Sequence, residues 1–329
     1  MTDPRWTPEQ AHAWYAGQPW PVGCNFIPST AINQLEMWQA ETYDPPTIDR
    51  ELGWAEAIGY NCVRVYLHDL LWQADAAGLR MRIEHYLGIA AKRGIRTVFC
   101  LLDDCWNPHP RLGRQPDPKP GIHNSGWVQG PGVDLVVDPT AWPRLRVYVQ
   151  GVLDAFRDDA RVLLWDLYNE PGNSDMGDRS LPLLREVFAW AQEVRPSQPL
   201  SCGVWSPIAG ITALQLAASD VITFHNYNPP DDLRRQIAEL RTYGRPLICT
   251  EWMARTRGSL FQTNLPVFKA ERVGCLHWGL VAGKTNTIYA WGHPLPGQEP
   301  LVWFHDIFRP DGTAYDPQEI AAIVAATGK

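Results

Sequence analysis

Eight times along this chain a short apolar run of strand length gives way to an amphipathic stretch of helix length. The runs are Val22 to Phe26, Cys62 to Leu67, Arg96 to Leu102, Val162 to Asn169, Leu200 to Trp205, Val221 to Asn226, Leu247 to Glu251 and Cys275 to Leu280. Between them, Asp49 to Ile58, Arg82 to Lys92, Trp142 to Phe156, Leu183 to Val194 and Leu233 to Thr242 carry apolar residues at three and four spacing, with Gly59, Gly94 and Gly244 as stops. Strand-then-helix repeated eight times predicts an α/β fold, a single (β/α)8 TIM barrel.

No change of composition divides the 329 residues. Residues 1–20 read as an N-terminal segment in which Thr7-Pro8-Glu9-Gln10 caps a short helix across the barrel floor, and residues 21–329 as the barrel. Two connections exceed what a βα loop needs: Asp103 to Pro139, rich in Pro and Gly, and Gly283 to about Tyr315. Both follow strands, so in a barrel both rise over the face where chemistry occurs.

The net charge of −7 and the scattered Lys and Arg argue against nucleic acid and against an anionic membrane surface as partners. Oligomeric state is not legible. The start Met1-Thr2-Asp3-Pro4-Arg5-Trp6 lacks a basic and then apolar leader, so the expected location is cytoplasmic. Six of the seven cysteines (Cys24, Cys62, Cys100, Cys202, Cys249, Cys275) fall in predicted strands and Cys105 in a loop, the usage of reduced core thiols.

Two of the strands end in glutamate. Val162-Leu163-Leu164-Trp165 runs on to Tyr168-Asn169-Glu170-Pro171, and Pro246-Leu247-Ile248-Cys249-Thr250 runs on to Glu251. Two carboxylates at strand ends are the minimum equipment of a glycosidase. Strand parity turns Cys62, Arg64 and Tyr66 inward on the second strand, leaving Val63, Val65 and Leu67 to the helices. The same count turns Thr223, His225 and Tyr227 inward on the sixth, and Leu247, Cys249 and Glu251 on the seventh. A buried guanidinium needs a carboxylate, which pairs Arg64 with Glu251; Arg64 with the deeper Asp166 as a plain buried ion pair is the alternative. An Arg and the Tyr227 hydroxyl on one carboxylate stabilise its charged form, as a nucleophile requires.

Taken together, Arg64, Asn169-Glu170-Pro171, His225-Asn226-Tyr227, Glu251 and Trp278, in this order and each at a strand end, resemble the motifs of the clan A retaining glycosidases, specifically glycoside hydrolase family 5. The resemblance runs from Gly23-Cys24-Asn25-Phe26 to beyond Trp278. It implies that Glu170 is the acid/base, Glu251 the nucleophile and Asn169 the amide on the sugar hydroxyl beside the reacting carbon. It also implies that Arg64 and Tyr227 hold Glu251, that His225 lines the same subsite and that Trp278 lies under the sugar ring. Many members carry a His-Asn or similar pair after the third strand, where this chain has Asp103-Asp104 followed by Trp106.

Asn25, Asp103, Asp104, Trp106 and Trp205 complete the candidate set for substrate binding or support. Sixteen tryptophans suit a carbohydrate cleft, and Trp106, Trp127, Trp205, Trp252, Trp278, Trp291 and Trp303 fall in or near strand-end loops. Asp103, Asp104, His109 and His123 match no metal-ligand spacing, so no metal and no cofactor is expected. The reading is a retaining glycosidase acting on a carbohydrate, by end-wise release or on small glycosides, with mannoside, glucoside, xyloside and furanoside open. Alternatives are an endo-acting cellulase, mannanase or xylanase, a carbohydrate-binding barrel without turnover, and a metal-dependent sugar isomerase, whose ligands the sequence does not offer.

Overall fold

A computed structural model describes residues 5–329, so the first four residues of the N-terminal segment lie outside it. Eight parallel strands, β1 (Val22–Asn25), β2 (Cys62–Tyr66), β3 (Arg96–Cys100), β4 (Val162–Asp166), β5 (Leu200–Ser201), β6 (Ile222–Asn226), β7 (Leu247–Trp252) and β8 (Gly274–Trp278), form one sheet in the order β5-β4-β3-β2-β1-β8-β7-β6. A bridge between Val204 and Phe224 joins the two ends, which closes the (β/α)8 barrel. Gly23 is the tightest point of closure. A Cβ there would stand 1.6 Å from the Cys62 carbonyl oxygen, so β1 and β2 meet at this register only with glycine.

The helices are α1 (Pro8–Ala16), α2 (Gln34–Trp38), α3 (Pro45–Ala57), α4 (Asp69–Lys92), α5 (Val133–Val136), α6 (Trp142–Ala155), α7 (Leu181–Val194), α8 (Ala209–Ala218), α9 (Pro230–Arg241), α10 (Phe261–Ala270) and α11 (Pro317–Thr327). None is long and apolar enough to cross a membrane. The N-terminal helix α1 opens with a capping box: Gln10 N–H donates to Thr7 Oγ1 and Thr7 N–H to Gln10 Oε1. Its Ala11 packs with Cys62, Val98, Leu164, Ile248 and Leu276 in the cluster that fills the barrel floor. A larger cluster fills the layer between strands and helices, and Val63, Val65, Phe99 and Trp165 belong to it.

Strand β7 departs from simple alternation. Leu247 and Cys249 sit in the outer, helix-facing cluster and Ile248 in the inner one, the reverse of the parity expected for that strand. A bulge corrects the count farther along: Phe224 pairs with Cys249 but His225 pairs with Glu251, so Thr250 is an extra residue and Glu251 still enters the barrel mouth. Most of the predicted strands overran, because the chain leaves the ladder before its apolar pattern ends. In β5, Gly203 follows within two residues, and a side chain there would meet the His225 ring.

Candidate active site

Glu170 is set by its turn. Pro171 bars the right-handed helical region to the residue before it, and Glu170 takes a left-handed conformation (φ 44) that a non-glycine residue adopts at a cost of roughly 1 kcal/mol or more. The turn is braced from behind by Asp104, whose carboxylate accepts from Tyr168 Oη at 2.6 Å, the Gly172 N–H at 2.7 Å and Ser180 Oγ. Burial pushes the Asp104 carboxyl up to about 6, against those donors.

The side chain of Glu170 faces the cavity with three donors on it. His225 Nδ1 lies 2.7 Å from Oε1, while the Cys105 thiol (3.3 Å) and the Asn173 amide donate to Oε2. Burial raises the Glu170 carboxyl, but the hydrogen bond and charge of His225, with the other donors, outweigh it and hold the group below the ordinary carboxylate value. For His225, burial lowers the imidazolium's stability, yet the charge of Glu251 and the contact with Glu170 raise its pKa overall. Both shifts favour the charged forms, so a proton shared by the pair leans to His225 rather than to Glu170.

Glu251 is held differently. Arg64 Nη1 donates to Oε1 at 2.7 Å, Tyr66 Oη to Oε1 at 3.0 Å and Tyr227 Oη to Oε2 at 2.8 Å. Arg64 also donates to Asp166 Oδ2 (2.8 Å), Asn25 Oδ1 (2.9 Å), Asn169 Oδ1 (2.7 Å) and Tyr66 Oη. An oxygen of Glu170, an oxygen of Glu251 and a ring nitrogen of His225 fall within 4.8 Å of one another, among the described residues the only group of acid, His or Cys donors close enough to hold a cation. With Glu251 already accepting three hydrogen bonds, one of them from the Arg64 guanidinium, that cluster is furnished for a carboxylate anion rather than for a cation.

The cavity over these groups holds about 440 Å³. Asn169, Glu170, His225, Tyr227, Glu251, Trp278, Trp106 and Trp205 line it, and so do Trp127, His123, Trp291 and His305. Four of the candidate residues do not: Arg64, buried at the back of Glu251, and three others. Asn25 donates to the Thr250 carbonyl and accepts from Arg64; Asp103 accepts from Trp127 Nε1 (2.7 Å), Asn169 Nδ2 (2.9 Å) and the Cys105 N–H; Asp104 braces the turn. All four stand behind the wall and orient residues that form it. Burial pushes Asp103 up to about 7, its three donors opposing. Trp252 and Trp303 are also outside the cavity: Trp252 packs on Phe261 and Phe268, and Trp303 stacks on Tyr315.

Trp278 belongs to an aromatic group with Tyr66 and Trp127, ring centroids 5.1–5.9 Å apart. The two long loops meet in a second group. His123 donates from Nδ1 to the Tyr289 carbonyl and accepts from Trp291 Nε1, and the Leu295 N–H bonds to Gly121 and the Asn124 N–H to Thr285. Burial pushes His123 down to about 4, so the ring is neutral. Trp291 in turn meets Tyr227 edge-on at 4.8 Å.

Sequence reasoning missed Tyr66 as a partner of Glu251, Cys105 and Asn173 as partners of Glu170, and His123 and His305 as wall residues. For Tyr66 a signal existed, since it shares the inward parity of Arg64. Nothing in the loop sequences marks the others.

No family model matches this sequence, and no curated protein is detectably similar to it. Solved structures are. An exo-β-1,4-mannosidase from Opitutaceae bacterium strain TAV5 is 16% identical with a TM-score of 0.64, over 100% of this chain and 61% of that one. GH5_18 from Streptomyces cattleya, in complex with GlcNAc, is 13% identical with a TM-score of 0.63, over 93% and 79%. An endo-β-1,4-mannanase from Thermotoga petrophila is 14% identical with a TM-score of 0.61, over 95% and 77%. The chain thus shares the (β/α)8 barrel of these enzymes. What it does with that barrel rests on its own residues.

Proposed function

We propose that this protein is a retaining glycoside hydrolase of the family 5 kind, with Glu251 as nucleophile and Glu170 as acid/base. The observation that carries the reading is the pair itself: two carboxylates with an oxygen of each within 4.8 Å of one of the other, the close placing expected of a retaining pair, in opposite surroundings. Glu251, its side chain 5% exposed, is held as an anion by Arg64 and two tyrosines. Glu170, 14% exposed, faces the cavity beside a protonatable histidine.

In the first step Glu251 attacks the anomeric carbon and the bond to the leaving oxygen breaks, that oxygen taking a proton from Glu170. The proton stored on His225 is coupled to this event. Glu251 supports the imidazolium by its charge, and that charge vanishes as the ester to the sugar forms, which drives the one proton the pair holds across the 2.7 Å bond from His225 to Glu170 and on to the leaving oxygen, leaving His225 neutral and Glu170 ionised. In the second step Glu170 takes a proton from water, which attacks the same carbon and frees Glu251. Asn169, fixed between Arg64 and Asp103, presents its amide to the sugar, and Trp278 offers an apolar face to the ring.

We further propose end-wise release of single sugars or hydrolysis of small glycosides. The loops after β3 and β8 bond to each other over His123, Trp291 and Leu295 and wall the cavity on one side. Structural neighbours named as acting on β-1,4-mannosides put β-mannosides at the head of the substrate panel. The test is hydrolysis of aryl β-mannoside, glucoside, xyloside, galactofuranoside and arabinofuranoside, and of oligosaccharides, with chelator present. Turnover of at least one, unaffected by chelator, supports the reading; no turnover on any would leave a binding barrel.

A further inference from the structure

Cys105 stands apart from the other cysteines, which lie in strands or, for Cys202, just past one, and pack in apolar layers. Its sulfur lines the cavity, 3.3 Å from Glu170 Oε2 and 3.4 Å from the Asn169 amide nitrogen. We propose that Cys105 is a positioning residue for the acid/base: its S–H holds Oε2 of Glu170 while its sulfur accepts from Asn169, so that one side chain from the loop after β3 locks two residues at the end of β4. For the catalytic consequence, this rests on the role of Glu170 proposed above.

The geometry is built from behind. The loop leaves β3 through paired backbone bonds between Asp103 and Gly130, and the Cys105 N–H bonds to Asp103 Oδ1 at 2.9 Å. The same Asp103 oxygen accepts from Asn169 Nδ2, so Asp103, Cys105 and Asn169 form a closed triangle with Glu170 on its open side. Burial first, then the charges of Asp103, Glu170 and Glu251, pushes the thiol well above its ordinary range. It therefore remains a donor and is no nucleophile. As a weak donor, it favours the ionised form of Glu170 less than an N–H would, leaving the carboxyl able to take the proton its role requires.

The titratable and charged groups around Glu170 are His225 from β6, Glu251 from β7, Tyr227 after β6, Arg64 from β2, and Asp103 and Cys105 from the loop after β3. Of these, Cys105 alone touches Oε2, beside the neutral Asn173. Removing its S–H takes a donor from the ionised carboxylate and leaves His225 in place, so the Glu170 pKa must rise.

The experiment needs no substrate. Protein labelled with ¹³C at the glutamate side-chain carboxyl is titrated by NMR, and the Glu170 signal is identified by its loss in Glu170→Gln. In Cys105→Ala its midpoint is expected to rise by roughly half to one pH unit, the shift set by loss of one weak bond to a charged group. Cys105→Ser, which keeps a donor, is expected to return most of the way. On a glycoside with a poor leaving group, the alkaline limb of kcat/KM should move with the NMR midpoint. If the protein hydrolyses no glycoside, the proposed function falls while the NMR shift still reports on Cys105. An unmoved Glu170 midpoint in Cys105→Ala whose other glutamate signals match the wild type, or Ser and Ala shifting it equally, would overturn the proposal.

Discussion

Arg64 and Glu251 form a 2.7 Å ion pair across the barrel mouth, and Arg64 reaches Asp166 with the same guanidinium. Arg64 is the guanidinium that pairs with both acids, Asp166 in the interior and Glu251 at the cavity wall, with His225 3.6 Å from Glu251 on the other side. Deleting Arg64 takes the guanidinium from buried Asp166 and leaves Glu251 with His225 and two tyrosine hydroxyls. Arg64→Met is therefore expected to cost about 3–5 kcal/mol in urea unfolding. Adding Asp166→Leu to it should recover a good part of the loss, since one lone charge then disappears. A single-variant cost below about 1 kcal/mol would show that water reaches the pair.

The two glutamates should fail differently. Glu251→Ala is expected to abolish turnover of every glycoside. Glu170→Ala should lose roughly 10²- to 10⁴-fold on poor leaving groups, spare activated aryl glycosides in the first step and recover with azide. Equal loss on good and poor leaving groups, without azide rescue, would remove Glu170 from its role.

His123 gives a stability prediction with a definite sign. Its folded pKa, pushed by burial to about 4, lies below the ordinary value of 6.5. Between those values the unfolded chain binds a proton that the native state does not, so stability is lost as pH falls from about 6.5 to about 4. His123→Gln should fall less steeply than wild type over that window, by up to about 1.4 kcal/mol per pH unit. The difference between the two denaturation series isolates this histidine from the buried acids, whose raised values (Asp103 about 7, Asp104 about 6) act with opposite sign. Parallel series would show that His123 protonates without unfolding.

The joined loops make Trp291 the keystone of the wall, since it touches His123, Tyr227 and Phe304. Trp291→Ala is expected to open the cavity and lengthen the products made from a soluble polysaccharide. Wild-type protein should release monosaccharide without loss of viscosity. A rapid fall in viscosity with wild type would instead make it an endo enzyme.

How much of this was readable before the fold was known depends on the kind of information each residue needs. Strand identity and the terminal glutamates were readable because apolar runs, and for Glu170 a following Pro-Gly turn, are local signals. The faces of Leu247 and Cys249 were not, because a bulge at Thr250 has no local signature. The start of α4 at Asp69 was missed since Asp75 interrupts its helical geometry, and α8, α10 and α11 went unread, α11 being apolar on most sides. Asp103 and Asp104 sit where a cavity carboxylate would, and only the packed loop shows that they face backwards to hold Asn169 and the Glu170 turn. Tyr66 was known to point inward, but its reach to Glu251 depends on how the closed barrel brings β2 opposite β7.

The central claim is double displacement on a Glu170–Glu251 pair. It is tested most directly by ¹H NMR of the sugar first released from the best substrate of the panel, recorded before mutarotation. The expected first-formed anomer has the configuration of the substrate; an inverted one would contradict the assignment of Glu251 as nucleophile.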